Sequence, residues 1–283
     1  MAVDSRGLVG PPPELLYKPG LRLGSALREL WRARELVWTI AERDWRARYK
    51  QAILGSAWAL LTPLLLMAVF TVFFRRVATV DTRGVPYELF TYIGLLTWTF
   101  FSTSFNQGGL SLYNNKMLLN KVYCPREVFP IASVLVAAFD TAIALVALAL
   151  LFVITGFVPQ ASSVWVPVLL LVQVGFAVAM SLLSSVIVIY LRDVRHTIPI
   201  LLQLGLFATP VAYGIDAIPE SLRGLYSFIN PLAPVIDGYR RTVLWGEAPA
   251  WGLLGLGALS TVLLLVGGYL LFKRLEAGIA DVA

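Results

Sequence analysis

The hydrophobic and polar positions of this chain follow two regimes. From Leu21 to Lys50, the residues Leu27, Trp31, Trp38, Ala41, Trp45 and Tyr49 recur at three-, four- or seven-residue steps among charged neighbours. That spacing predicts an amphipathic helix. Arg34 interrupts the apolar stripe, so the segment is expected to divide into two helices with a bend near residue 35. Glu42 with Arg46, and Asp44 with Arg48, stand four apart with the acid first. This order predicts two ion pairs worth about 0.2–0.5 kcal/mol each. Beyond residue 50 the charges retreat into the gaps between six apolar blocks, at about 53–74, 89–110, 128–155, 164–190, 198–214 and 251–272. Each is near the ~20 residues that cross ~30 Å of hydrocarbon, the fifth being short. Pro63 lies inside the first block and predicts a bend there. Between the fifth and sixth blocks, residues 215–250 are rich in Pro, Gly and aromatics, and Ile218, Leu222, Leu225 and Ile229 keep helical spacing. Short re-entrant or interfacial helices are expected there. The fold class is therefore an all-α integral membrane protein with six spans in residues 51–275, preceded by an amphipathic helical segment over 21–50.

Composition agrees. The chain is 58% hydrophobic and 14% charged, where a soluble domain carries about 25% charged residues. Pro11, Pro12 and Pro13 stiffen the start of the chain, and residues 1–20 and 276–283 read as cytosolic tails. The first fifty residues hold no apolar run of the kind a cleavable signal peptide needs. Six spans put both termini on one side. Residues 1–50 hold ten Lys and Arg; Lys116, Lys121, Arg126, Arg192, Arg195, Lys273 and Arg274 fall on the same face, against six on the other. Basic residues stay inside, so both termini are expected in the cytoplasm. The net charge of +6 is thus spread along membrane flanks and asks for no nucleic acid.

Several chemistries have no residues to carry them. There is no GxxxxGK[ST] loop for ATP phosphates, no GxSxG and no HExxH, and His196 and Cys124 are the only histidine and cysteine. No metal site is expected. Four groups of residues remain. Arg43, Arg46, Arg48 and Lys50 surround the Trp45–Tyr49 face at the start of the first span, suiting an anionic leaflet or a substrate diphosphate. Asp140 is an ionisable group inside the third block, which reads as a paired structural carboxylate or as part of a substrate path. Trp98, Phe101 and Phe105 share one face with Gly94, and the first block adds Trp58, Phe70, Phe73 and Phe74. Such faces line a sugar-conducting pore or pack against neighbouring helices. Finally, the loop over 111–127 places Met117, Leu118 and Leu119 in one apolar turn between Lys116 and Lys121, stopped by Pro125. It suits docking to a cytosolic partner, or burial against the amphipathic helix.

The stretches RDWRARYKQAILGSAWALLTPL, YIGLLTWTFF, NKMLLNKVYCPREVFP, YLRDVRH, TPVAYGIDAIP and NPLAPVIDGYRR, in this order over roughly residues 40–275, resemble the membrane subunit of type 2 ABC exporters. The resemblance is to the polysaccharide branch, which handles O-antigen, teichoic acid and capsule. It implies a homodimer of six-span subunits with two copies of a separate cytosolic ATPase, which would bind ATP and Mg, this chain needing no cofactor. It implies that Asn114, Lys116, Leu118, Leu119, Lys121, Pro125 and Arg126 form a coupling helix seated in that ATPase. The segment 21–50 would be the interface helix, and 215–250 the extracytoplasmic gate helices. The substrate implied is a glycan on an undecaprenyl-diphosphate lipid in the cytoplasmic membrane. Other readings with the same layout are a type 2 exporter of a drug or free lipid, an intramembrane enzyme acting on lipid-linked sugars, and a channel or secondary transporter. The last usually carries paired ionisable groups in its core.

Overall fold

The computed structural model describes residues 23–77, 80–119 and 124–282, with side chains at 28–73, 80–118 and 124–276. The expected tail over 1–20, Lys121, and the side chains of Phe74 and Leu119 lie outside these residues. Within them every regular element is helical. Helices α1 (Leu23–Arg32) and α2 (Arg34–Tyr49) divide at Ala33, two residues before the expected bend. After a turn containing Gln51 and Gly55 at positive φ come α3 (Ala57–Val77), α4 (Tyr87–Asn114), the single turn α5 (Lys116–Leu119), α6 (Val128–Thr155), α7 (Val166–Tyr190) and α8 (Val194–Ala208). Then follow α9 (Glu220–Ile229), α10 (Leu232–Arg240), one π turn over Arg241–Trp245, and α11 (Trp251–Val282). Six of these helices fall on the six apolar blocks. Val128–Thr155, Ala161–Tyr190 and Trp251–Glu276 are long and apolar enough to cross a membrane, while Ala57–Phe73 and Val194–Ala208 are shorter apolar helices. Helix α3 continues through Pro63.

Helix α4 occupies the centre, between α6 and α7. Small residues permit the approach. A Cβ on Gly108 would meet Ser181 Cβ at 2.4 Å, and Ser181 Oγ donates to the Ser104 carbonyl at 2.9 Å. Close contact of small residues with a hydroxyl bond across it is how helices associate where lipid supplies no hydrophobic drive. Beside this seam Phe101 stacks on Phe176 with ring centres 4.9 Å apart and on Phe105 at 5.7 Å.

A second core joins α2 to the bundle. Val37, Ile40 and Ala41 are buried with Val128, Phe129, Ala132 and Val136 of α6 and Phe272 of α11. Higher up, Trp38 and Trp45 meet Phe139 edge-on at 5.3 and 6.2 Å. Helix α2 therefore climbs α6 from Val128 to Asp140, twelve residues or about 18 Å of helix. Trp31 of α1 is exposed, and Trp38 remains half exposed beside its contact with Phe139.

The segment after α8 is tied down by one buried cation. The Arg240 guanidinium is 1% exposed and donates to the carbonyls of Phe90, Pro210, Val211 and Tyr213 at 2.5–3.1 Å. It lies 3.5 Å from the Phe90 ring centre. Only a glycine fits opposite it, because a Cβ on Gly94 would stand 2.5 Å from Val211 O. This pins the turn at 210–213 to α4. Of the expected stripe, Leu222, Leu225 and Ile229 lie on α9 with exposed side chains, whereas Ile218 precedes the helix in extended backbone because Pro219 starts α9 after it.

Candidate functional site

Four elements enclose a cavity of about 480 Å³: the end of α2, α3, α4 and α6. Its polar end holds Arg48, Tyr49 and Asp140, and its walls include Trp58, Thr62, Trp98, Thr99, Ser102, Thr103 and Thr141. Asp140 is reached by three side chains from one turn of α2. Arg48 pairs with Oδ2 and also donates to Gln107 of α4. Tyr49 and the Trp45 indole donate to Oδ1 at 2.8 and 3.1 Å. The carboxylate is thus balanced and multiply bonded, which makes its place inside an apolar helix affordable. Burial, then the hydrogen bond from Tyr49 to Asp140 and the charge of that acid, push the Tyr49 phenol up to about 12.

A second hollow of about 360 Å³ lies on the other side of Trp98, Ser102 and Thr103, with Asn106, Gln107, Pro199, Leu202, Gln203 and Leu206. Trp98, Ser102 and Thr103 line both, so the two hollows border one face of α4. Along that face Thr99, Thr103 and Asn106 follow one another at four and three residues, with Ser102 and Gln107 beside them. This polar stripe was recoverable from its spacing, but the aromatic stripe on the opposite side of the same helix carries the stronger signal.

The aromatic residues separate into two groups. Trp58 is exposed, while Trp98 is buried with its ring tilted against Phe101 at 5.8 Å; both line the first cavity. Phe101 and Phe105 point the other way, into the ring stack with Phe176, and Phe70 is buried and meets Phe207 edge-on at 6.4 Å. In this conformation those three rings belong to the subunit interior: Phe101 and Phe105 because that face of α4 packs against α7, and Phe70 because α3 meets α8 there.

The four basic residues divide as well. Arg48 turns into the cavity, whereas Arg43, Arg46 and Lys50 border a third hollow of about 540 Å³ with Trp45, Tyr49 and Ser56. Arg46 takes the Glu42 pairing at 2.5 Å that the spacing predicts. The Asp44–Arg48 pair does not form: Asp44 pairs with Arg43 at 2.7 Å, leaving Arg48 for Asp140. Arg43 also donates to Asn115 Oδ1 at 2.8 Å, linking α2 to the loop after α4.

In that loop Asn114 is exposed, Met117 is 76% exposed, and Leu118 packs against the α2–α6 core. One residue of the turn is thus exposed and its neighbour packs against α2 and α6. Lys116 sits 4.5 Å from the Tyr113 ring centre, and Arg195 donates to the Tyr113 hydroxyl at 3.0 Å. Pro125 is half-buried, and the Arg126 side chain reaches back to the Glu276 carbonyl of α11.

A helical bundle with apolar crossing helices, polar hollows on its central helix and an apolar turn at one end is the frame of a membrane transport subunit. Residues 35–244 match the family described as ABC-2 type transporter, and the chain belongs to that family, as a multi-pass all-α membrane protein. It is 32% identical over 252 residues to the O-antigen export system permease protein RfbA of Myxococcus xanthus, covering 88% of this chain and 96% of that protein. Two proteins of Klebsiella pneumoniae, each named O-antigen export system permease protein RfbA, are 26% and 27% identical over 249 and 250 residues, covering 88% of this chain and 95% of each.

Proposed function

We propose that this chain is the membrane-embedded subunit of an ATP-driven exporter that moves a polysaccharide on an undecaprenyl-diphosphate lipid across the cytoplasmic membrane. The similarity to O-antigen export permeases along almost the whole of their length supports the polysaccharide. One geometric observation carries the path: the hollows on either side of Trp98, Ser102 and Thr103 border a single hydroxyl- and amide-lined face of α4. Hydroxyls and amides exchange hydrogen bonds with sugar hydroxyls, and the exposed Trp58 ring offers a stacking surface. A second copy of the chain would close these open hollows into a channel.

The diphosphate reading rests on the cations at the cavity mouth. Arg48 has its guanidinium at the inner end, and Arg43, Arg46 and Lys50 border the outer hollow. An anionic headgroup arriving from the cytosolic leaflet meets the outer three first. Both termini then face the cytosol. Asn114, Lys116 and Met117 present the docking surface for two ATPase copies, which supply ATP and Mg, and α9 and α10 stand at the exit.

Co-purification with the ATPase encoded beside this chain tests the reading. A stable complex whose ATP hydrolysis rises with lipid-linked glycan is expected. No complex, or a complex that ignores the glycan and responds to a free lipid or drug, overturns it.

A further inference from the structure

The base of the docking loop is fastened to α11, not only to its own helix. Arg126 donates to the Glu276 carbonyl. The next residue, Glu127, is 2% exposed and is ion-paired to Lys273, which also pairs with Glu276 at 2.8 Å. Tyr269 donates to Glu127 Oε1 at 3.3 Å. From the end of α7, the Tyr190 hydroxyl donates to the Leu275 carbonyl at 2.8 Å. An ion pair this buried resists breakage, since separating it strands a charge in low dielectric. Loop base and α11 must therefore move together.

Helix α11 then runs back across the molecule along α7. A Cβ on Gly268 would stand 2.9 Å from Leu183, and one on Gly175 would stand 3.2 Å from Thr261. Gly257, sixteen residues or about 24 Å of helix from Lys273, meets the other end. A Cβ there would stand 2.9 Å from the Pro234 ring, 3.4 Å from Pro231 and 3.5 Å from the Ser227 carbonyl. These three residues belong to α9, α10 and the turn between them.

We propose that α11 is a rigid rod carrying motion from the docking loop to the α9–α10 pair, with Glu127 and Lys273 as the positioning residues at its driven end and Gly257 as the contact at its output end. The inference rests on the exporter reading for what drives the loop. A tightly packed helix transmits displacement because neither end can yield without opening a void or stranding a charge. Glu127 and Lys273 touch no substrate; they act by fixing the loop to the rod.

The test uses the full complex in proteoliposomes, with ATP hydrolysis and glycan export measured side by side for Lys273→Met, Lys273→Arg, Gly257→Leu and Gly255→Leu. Gly255 lies on the same helix with nothing within 4 Å of its Cβ position. Lys273→Met and Gly257→Leu are expected to assemble and hydrolyse ATP within about twofold of the parent while export falls about tenfold, the size of an ordinary coupling free energy. Lys273→Arg should restore most of the export, and Gly255→Leu should match the parent. A Gly257→Leu complex that exports at the parental rate overturns the proposal, even if Lys273→Met fails to assemble. So does a loss of hydrolysis in step with export in both variants. A parental complex that exports no glycan at all would instead strike the exporter reading.

Discussion

The Arg48 guanidinium on α2 pairs with the Asp140 carboxylate on α6, two residues 92 positions apart in the chain. The same carboxylate is held by Trp45 and Tyr49, so one turn of α2 satisfies the only acid in the apolar stretch of α6. The pair fixes how far α2 climbs the bundle and places a cation and an anion at the inner end of the cavity between α2, α3, α4 and α6.

Replacing Asp140 by Asn keeps the size and the hydrogen-bonding capacity but leaves Arg48 without its counter-charge. Both side chains are partly accessible, so the loss of α2 docking is expected at about 1–3 kcal/mol, below the cost of a fully buried break. Export should fall about tenfold at unchanged protein level, as surface polysaccharide and immunoblot will read. Normal export by Asp140→Asn would remove the pair from the mechanism.

Tyr49 gives a pH prediction. Its phenol is pushed up to about 12, chiefly by burial. A group whose folded pKa is raised contributes in full below its unfolded value, near 10 for tyrosine, and loses that contribution as pH rises through the folded value. Docking of α2 is therefore expected to be independent of Tyr49 ionisation from about pH 6 to 9. A ring-labelled NMR titration should find Tyr49 still protonated at about pH 10; ionisation at or below that value contradicts the placement against Asp140.

The α4–α7 seam has a sharp steric test. Gly108→Ala would place a methyl 2.4 Å from Ser181 Cβ, whereas Gly252→Ala on α11 meets nothing within 4 Å. The first should destabilise the protein by about 1–3 kcal/mol and the second leave it unchanged, as thermal unfolding in detergent will show. Equal midpoints for both variants would mean that the seam yields to a methyl group at Gly108.

How much of this is legible in the sequence depends on the kind of interaction. Helices coincide with the six apolar blocks, and for Val128–Thr155, Ala161–Tyr190 and Trp251–Glu276 length and apolarity alone suffice, because hydrocarbon solvates no bare backbone. The amphipathic segment and its division near residue 35 follow from one periodic stripe broken by Arg34. Long-range partners are different. Asp44 and Arg48 have ideal i,i+4 spacing, yet Asp140, far off in sequence, takes Arg48 because a carboxylate inside an apolar helix gains more from it than a solvated one. The Phe101–Phe105 face looks like a channel wall for the same reason that it looks like a core face: periodicity reports that a side is apolar, not what it meets. The buried role of Arg240 is likewise invisible, since its partners are backbone carbonyls that carry no side-chain signature.

Arg240 offers a further check. Arg240→Lys keeps the charge but cannot reach four carbonyls from one ammonium. About 3–5 kcal/mol of stability should be lost in Arg240→Met, and Arg240→Lys should recover little of it. Full recovery by lysine, again from thermal unfolding, would show that charge rather than the fork of donors holds the turn at 210–213.

The two faces of α4 decide whether the polar stripe is the path of the glycan. A photo-crosslinking residue is placed at Thr103 or at Phe105, and the complex is illuminated during ATP-driven export of radiolabelled, lipid-linked polysaccharide. Labelled polysaccharide is expected to attach at position 103, whose side chain borders both hollows, and position 105, which stacks in the core, to crosslink only to protein. Polysaccharide captured at 105 and none at 103 would contradict that path.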